Sequence, residues 1–263
     1  MPLYCVSCAE RRFGEVCKCG ERDAEQIPPL DGFVTTEGER MNSEILKVLC
    51  GSRAYGLENP DSDYDYHAVY VTPTTHFFQI GKMNTETAWV EGEDKDQQSW
   101  EIGHFLKLAV HNNPTILETF VAPVEHAAPW GRTLRKLFPA FLARQRIYDA
   151  FRGYAKNQRV KMLDNKEAEV RTWKFAVAYL RVLAHGIELL STGTYNPKIT
   201  DPEFNQFLRD VKAGVKYSKG QIIDETDRML ASMEIAYENS SIQLEPDLER
   251  INKFIVDVRT AYW

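Results

Sequence analysis

The stretch from Gly51 to Tyr66 constrains the fold of this chain more than any other part of the sequence. A short apolar run over residues 45–50 leads into a Gly-Ser turn, and a polar loop then precedes Asp63 and Asp65. Aspartates at positions i and i+2 of a strand point to the same face of its sheet. The spacing therefore predicts two strands joined by a turn, with two carboxylates on one face of the second strand.

Each part of this stretch suits a ligand that carries phosphate and metal. Gly51 lacks a Cβ, so the backbone there can approach a ligand closely. The Ser52 hydroxyl and nearby backbone N–H groups can hold a phosphate, and Arg53 is expected within reach of it. Paired carboxylates suit a hard cation with oxygen ligands, and Mg²⁺ in such sites commonly also binds substrate phosphates. We therefore predict phosphate binding at Gly51, Ser52 and Arg53, and metal binding at Asp63 and Asp65.

The order Gly-Ser-Arg-Ala-Tyr-Gly, spacer, Ser-Asp-x-Asp resembles the motif of a family of predicted bacterial and phage nucleotidyltransferases in the DNA polymerase beta-like superfamily. Residues 113–118 and the helical region 173–193 resemble the same family, so the resemblance covers about residues 45–200. It implies an α+β fold, with a polymerase-beta-like core of mixed β-sheet and helices followed by an all-α domain. A loop rich in turn residues between two strands is the alternative interpretation of the motif.

The resemblance also implies an activity, which is transfer of an NMP from an NTP to an acceptor hydroxyl with release of pyrophosphate and two Mg²⁺ ions at the site. Relatives carry a third carboxylate on the strand beside the Asp-x-Asp strand, and Asp96 is the best candidate for it. The residues that follow Asp96 are poor strand formers, so Glu101 and Asp94 are alternatives. All of these acids could instead decorate a solvated turn.

The substrates are less defined than the reaction class. We expect ATP as the NTP, whereas the acceptor could be an RNA or tRNA end, a protein side chain, a second nucleotide or a small molecule. The net charge of −6 and pI of about 5.6 argue weakly against a broad nucleic-acid surface. A catalytically inactive nucleotide- or partner-binding protein on the same fold is the alternative function.

The helix expected over residues 169–191 is mostly apolar but carries one polar face. Lys174, Arg181, His185 and Glu188 recur at helical spacing along it. The resemblance places basic residues on the helix that closes the cleft, so Lys174 and Arg181 are predicted to bind the triphosphate. The solvent-facing side of an ordinary amphipathic helix is the alternative.

Four of the five cysteines lie near the start of the chain, as the pairs Cys5–Cys8 and Cys17–Cys19. Thiolates in two close pairs can complete a tetrahedral Zn²⁺ site, so we expect structural zinc in this segment. A loose tail with reduced thiols is the alternative. The N-terminus lacks a secretory signal and no segment is expected to span a membrane, which predicts a cytoplasmic protein.

Composition changes from mixed α/β to helical near residues 130–140. The sequence therefore predicts a zinc-knuckle-like segment over 1–25, a catalytic domain over 40–135 and a helical domain over 136–263. In the catalytic domain, residues 41–50 are expected to begin as a short helix and end as a strand. A strand over 64–71, weaker β signals, a helix capped by Ser99 and a helix from Pro114 follow. The weaker β signals cover 76–80 and 85–90, and the later helices cover 130–137, 141–163, 169–191, 202–213, 218–238 and 246–262.

Overall fold

The structure is a computed structural model of the chain. It describes residues 3–4, 11–12, 42–80, 86–90, 95–164 and 169–263. The predicted zinc ligands Cys5, Cys8, Cys17 and Cys19 lie outside these residues, as does Asp94. The zinc-knuckle-like segment therefore stays a prediction.

A five-stranded mixed sheet forms the centre of the fold, with the strand order β5-β6-β4-β3-β7. Strands β4 and β6 run parallel, and the other neighbouring strands run antiparallel. A separate antiparallel pair joins β1 (Leu3–Tyr4) to β2 (Arg11–Arg12). The strands of the main sheet are β3 (Ser43–Cys50), β4 (Tyr64–Val71), β5 (Thr87–Val90), β6 (Lys95–Glu101) and β7 (Val124–Ala127).

The structure differs from what local propensity predicts at three places. The predicted short helix at the start of 41–50 is wrong, because Ser43 and Glu44 already pair with the end of β4. Residues 97–99, which are poor strand formers, lie in a strand because β6 has a partner on each side. The β signal over 76–80 is also wrong, since Thr74–Phe78 forms a 3₁₀ helix.

Ten helices lie in the described part of the chain, and those expected beyond residue 130 are confirmed within a few residues. The helix predicted to be capped by Ser99 begins later, because Ser99 belongs to β6 and Glu101 accepts the capping bond from Gly103 N–H. Asn113 caps the next helix, which starts at Pro114 as predicted. The helices are α1 (Gly51–Tyr55), α2 (Ile102–Val110), α3 (Pro114–Val121), α4 (Pro129–Lys136), α5 (Phe138–Phe141), α6 (Arg144–Leu163), α7 (Glu169–Thr192), α8 (Pro202–Ala213), α9 (Lys219–Glu238) and α10 (Leu248–Ala261).

One hydrophobic core runs from the sheet into the helices, from Ile45 on β3 to Tyr262 after α10. A smaller core around α7 and α8 takes in Leu57 from the loop after α1. The sheet and the helical region therefore share buried surface across the predicted boundary near residue 135.

Helix α7 lies at the centre of the helical region and packs against α6, α8 and α9. Among the described residues, its stretch Arg171–Thr192 is long and apolar enough to cross a membrane by length and composition alone. The expectation that no segment is long and apolar enough to span a membrane is therefore wrong by this criterion. Within its most apolar window, 56% of the residues are buried in the protein, as in the core helix of a folded domain.

A buried ion pair fastens α10 to the sheet. The guanidinium of Arg259 contacts both carboxylate oxygens of Glu101 at 2.8 Å, and the Glu101 side chain is only 5% exposed. Thr74 adds a hydrogen bond from its hydroxyl to the carbonyl oxygen of Arg259. Glu101 therefore holds the end of β6, the start of α2 and the last helix together.

We expect Arg259→Met to lower the free energy of unfolding by about 3–5 kcal/mol, because it leaves the buried Glu101 carboxylate without its partner. Lys253→Met on the same helix is the matched control. It removes a half-exposed ion pair with Asp257 and should cost under about 1 kcal/mol. Urea unfolding measures both, and equal losses in the two variants would contradict the assignment.

Candidate functional site

Three aspartates gather at one end of the parallel strand pair. Asp65 of β4 and Asp96 of β6 are direct partners in the strand register, and Asp63 immediately precedes β4. Burial raises the pKa of Asp65, the negative charges of Asp96 and Asp63 raise it further, and Lys174 partly offsets them. The two strands thus bring together the three acids that the sequence proposes.

The donor set consists of carboxylate oxygens, which fits a hard cation such as Mg²⁺. Burial is the main cause of the raised pKa of Asp65, repulsion from Asp96 and Asp63 adds to it, and a bound cation would offset that repulsion. Within the described residues, however, no three His, Cys, Asp or Glu side chains already form a metal-binding group. Metal binding at Asp63, Asp65 and Asp96 therefore stays a prediction.

Glu101 is not the third acid. It lies at the other end of β6 from Asp96, where it caps α2 and pairs with Arg259. The poor strand propensity of the intervening residues suggested this alternative. The register between β4 and β6 decides against Glu101, because Asp96 stands beside Asp65 whereas Glu101 stands beside Tyr70.

Position 51 requires glycine because the side chain of Asp65 lies against it. Its φ of +67° lies in the left-handed region that favours glycine, and a Cβ at this position would overlap the carboxylate of Asp65. We predicted that the missing Cβ makes room for a ligand. The structure shows that it makes room for the Asp65 side chain at the start of α1.

Arg53 shapes the loop that carries Asp63. Its guanidinium donates to the carbonyl oxygen of Ser62 at 2.6 Å and 3.1 Å, and to that of Asp63 at 3.3 Å. The same group lies over the ring of Tyr64, 3.9 Å from its centroid. These contacts give Arg53 a structural role, and its predicted contact with phosphate stays a prediction.

Helix α8 holds the other half of the same loop. Arg209 donates to the carbonyl oxygens of Gly56 at 2.7 Å and Glu58 at 3.0 Å, and Lys212 donates to that of Leu57 at 3.3 Å. No sequence signal pointed to these contacts, since α8 follows the loop by well over a hundred residues.

The polar face of α7 is only partly exposed to solvent. Lys174 is exposed, but the side chain of Arg181 is only 11% exposed and His185 is buried. The interpretation of this face as the wet side of an amphipathic helix is therefore wrong for Arg181 and His185. Burial lowers the pKa of His185 well below its usual value, so this ring is neutral at neutral pH.

Arg181 belongs to a buried cluster with Tyr55 and Glu118. Its guanidinium lies 3.3 Å from a Glu118 carboxylate oxygen and 3.5 Å from the centroid of the Tyr55 ring. The Tyr55 hydroxyl donates to Glu118 at 2.9 Å. Burial alone would lower the pKa of Arg181, but Tyr55 and Glu118 raise it on balance, so the guanidinium stays charged.

Two cavities meet at Asp65, Tyr55 and Arg181, which line both. The first, called the basic cavity, has a volume of about 360 Å³ and contains Lys174 and Lys212. Its remaining walls are Ser52, Leu57, Asn59, Asp61, Ser62, Asp63, Val177 and Ala178.

The second, called the aromatic cavity, has a volume of about 310 Å³ and contains Asp96 and Glu118. His67 borders it, and its Nδ1 lies 3.0 Å from the Thr119 hydroxyl. Burial lowers the pKa of His67, so it adds no positive charge at neutral pH. The remaining walls are Cys50, Gly51, Tyr66, Gln98, Pro114, Thr115, Tyr154, Val182 and Tyr195.

The sequence missed several of these residues as parts of a site. Tyr55 lies inside the motif, and Glu118 ends the segment 113–118 that resembles the family, so both carried a signal. Lys212 and Tyr154 carried none, because their positions depend on how the helices pack.

We expect Gly51→Ala to disrupt the relative positions of the Asp63, Asp65 and Asp96 side chains without unfolding the protein. The new methyl group forces either the Asp65 side chain or the backbone of α1 to move. Crystallography of the variant measures the displacement, and Gly153→Ala is the control, because a Cβ there meets no atom within 4 Å. An unmoved Asp65 would contradict the prediction.

We also expect Asp65→Asn to raise the melting temperature of the metal-free protein at neutral pH. The folded-state pKa of Asp65 is raised, so its ionised form costs stability above that pKa, and the cost disappears as the pH falls through it. The gain over wild type should therefore shrink in acid. Thermal unfolding at several pH values measures it, and a gain that is constant with pH would refute this cause.

Comparison with known proteins identifies a family that matches this chain. Residues 31–257 match the model of RlaP, described as an RNA repair pathway DNA polymerase beta family. An uncharacterized protein, YcgL of Bacillus subtilis strain 168, is 30% identical over 95 residues. That match covers 35% of this chain and 36% of YcgL, so the chain spans about a third of the relative's length.

A solved structure of a nucleotidyltransferase-like protein from Exiguobacterium sibiricum 255-15 is 11% identical. The alignment covers 82% of this chain and 73% of that one, with a TM-score of 0.29. Because the family model matches most of the chain, the assignment depends on that match rather than on this neighbour. The chain therefore belongs to the RlaP family of DNA polymerase beta-like nucleotidyltransferases.

Proposed function

We propose that this protein transfers an NMP from an NTP, which we expect to be ATP, to a hydroxyl of an RNA end and releases pyrophosphate. The observation that carries the proposal is the pairing of Asp65 with Asp96 at the point where the two cavities meet. RNA as the acceptor is supported by the family's description as part of an RNA repair pathway.

The basic cavity is suited to the triphosphate. Lys174 and Lys212 bring two ammonium groups to the side of the cavity that Ser52 also lines. Lys212 uses one donor on Leu57, and an ammonium group has three, so two remain for phosphate oxygens. Burial lowers the pKa of Lys212, and the charges of Lys174 and Arg209 lower it further, so a bound phosphate would restore its preference for the charged form.

Asp63, Asp65 and Asp96 would hold two Mg²⁺ ions, which supply charge neutralisation at the phosphates and activation of the acceptor hydroxyl. The protein's own contribution is orientation and electrostatics. Lys174 and Lys212 hold the leaving phosphates in place, with Ser52 in the same cavity, while Arg53 fixes the loop that presents Asp63. Arg181 supports the wall between the cavities.

The alternative function, a catalytically inactive protein, would be favoured if the site lacked a third carboxylate. Asp96 in register with Asp65 removes that argument, so catalysis is the function the geometry supports best. A cytoplasmic location and structural zinc remain predictions.

We expect the double variant Asp63→Asn with Asp65→Asn to lower pyrophosphate release from NTP more than about 100-fold. It removes two of the three carboxylates that would hold the metal, and loss of a residue that merely orients a metal ligand already costs about 10–100-fold. Asp149→Asn, an exposed acid on α6, is the control and should keep wild-type activity. Circular dichroism establishes that both variants fold. Unchanged release from the double variant would exclude these carboxylates from the reaction.

A further inference from the structure

We infer that a cationic cleft beside helix α4, separate from the three aspartates, binds the phosphodiester backbone of an RNA strand. The cleft has a volume of about 570 Å³, and its cationic walls are Arg135 and Lys136 of α4 and Arg250 of α10. This inference rests on the proposed function, from which it takes RNA as the partner. It adds a second place on the protein where that RNA is held.

The cleft brings cations together without an acid. None of its walls in the described part of the chain is an aspartate or a glutamate, although the chain has 38 acidic residues and only 32 basic ones. Burial lowers the pKa of Arg135, and no nearby carboxylate offsets that effect. A bound phosphate would supply the missing negative charge.

The surface of α4 is almost entirely cationic. Four of its eight residues are buried, and those that reach the surface are one proline and three cations, namely Pro129, Arg132, Arg135 and Lys136. Residues three or four apart on a helix have Cβ atoms about 5–6 Å apart, so Arg132 lies one turn from the other two cations. Such a row can follow a nucleic-acid strand, which carries one negative charge every ~3.4 Å.

The two arginines of the cleft keep donors for a ligand. Arg135 donates one N–H to the carbonyl oxygen of Ala122 at 2.8 Å, which orients a guanidinium that carries five donors. Arg250 is exposed, and no carboxylate of a described residue forms an ion pair with it. Asp247 accepts the backbone N–H of Arg250 as the cap of α10. Glu249 is adjacent in sequence, and adjacent residues of a helix do not face each other.

The cleft lies near the end of the sheet that carries the acids. Val121, one of its walls, follows Pro114, a wall of the aromatic cavity, by seven residues of α3, which is about 10 Å along a helix. The chain then returns to the sheet at Pro123, whose carbonyl oxygen accepts the N–H of Leu49 at 2.8 Å, two residues before Gly51. A strand with one end beside the aspartates therefore reaches the cleft within about three nucleotides.

The apolar walls favour the backbone of the strand over its bases. Phe120 is 1% exposed and Phe138 is 8% exposed, so neither ring offers a face on which a base could stack. Contacts to phosphates alone carry no sequence information. Binding in the cleft should therefore depend strongly on salt and be the same for RNAs of different base composition.

The first experiment measures binding of a fluorescent RNA of about 12 nucleotides by anisotropy at several salt concentrations. Each phosphate contact with a single strand contributes about 0.7 to the slope of log affinity against log salt. We expect the double variant Arg135→Gln with Arg250→Gln to lower the magnitude of the slope by ~1.4, equally for oligo(U) and oligo(A). An unchanged slope, or a loss confined to one base, would overturn the inference.

The matched control removes two cations elsewhere. Arg228→Gln with Lys253→Gln changes the net charge by the same amount, but these side chains pair with Glu225 and Asp257. We expect this control to keep the wild-type slope. A slope lowered as much as in the cleft variant would show that the salt dependence reports net charge alone, and would overturn the inference.

RNA length provides a second test, with activity as the readout. The cleft variant should raise the KM for the long RNA at least about tenfold, since each lost charged hydrogen bond is worth roughly one such factor. It should leave the KM for a dinucleotide unchanged, because a dinucleotide ends before the cleft. Calorimetry should show unchanged Mg·ATP binding, because neither arginine lines a cavity beside Asp65. Equal losses for both lengths would contradict the location.

Arg250→Glu covers the case in which the Arg135 variant does not fold, since Arg250 is exposed. It should weaken binding of the long RNA more than Arg250→Gln does, and equal binding by the two variants would count against the cleft. Displacement of the RNA by polyglutamate as readily as by unlabelled RNA would identify an acidic protein as the partner and overturn the inference. A wild-type protein that releases no pyrophosphate would refute the proposed function, while anisotropy still tests the cleft.

Discussion

The buried cluster of Tyr55, Glu118 and Arg181 is the interaction on which the arrangement of the site depends. It joins α1, α3 and α7, and it forms the wall that separates the two cavities. Both charged side chains are largely buried, so removing either partner would leave an uncompensated charge in a low-dielectric environment, which typically costs about 3–5 kcal/mol. The tyrosine reduces that cost by donating to the carboxylate while its ring lies against the guanidinium.

The loop of the motif has little structure of its own and is held from outside. Arg53 binds its second half, and Arg209 and Lys212 from α8 bind its first half through backbone carbonyl oxygens. Leu57 then packs into the small core around α7 and α8. The helical region thus does more than cover the site, because it fixes the backbone of the loop that carries Asp63, one of the proposed catalytic acids. It also brings Lys174 and Lys212 to the cavity beside them.

The acids themselves are placed at a cost to stability. Asp65 lies beside Asp96 and near Asp63, and their repulsion adds to the desolvation that already raises its pKa. A bound cation would relieve this repulsion, and the oxygen donor set suits one. By contrast, Glu101 is an acid of the same strand whose charge is fully paired by Arg259. The two ends of β6 therefore carry one acid suited to chemistry and one suited to structure.

The sequence by itself indicated the family through the resemblance of its motif, and it determined the two strands around Gly51 and Asp65 and most of the helices, because these elements depend on local spacing. It left Asp96 and Glu101 as alternatives, since the choice depends on the parallel register between β4 and β6. The sequence placed Arg181 and His185 on one face of a helix by periodicity alone. Periodicity identifies a face of a helix but not the residues that pack against that face. Tertiary structure decided these points and placed Glu118, Lys212 and Tyr154 around the motif, because contacts between residues far apart in sequence arise only from packing.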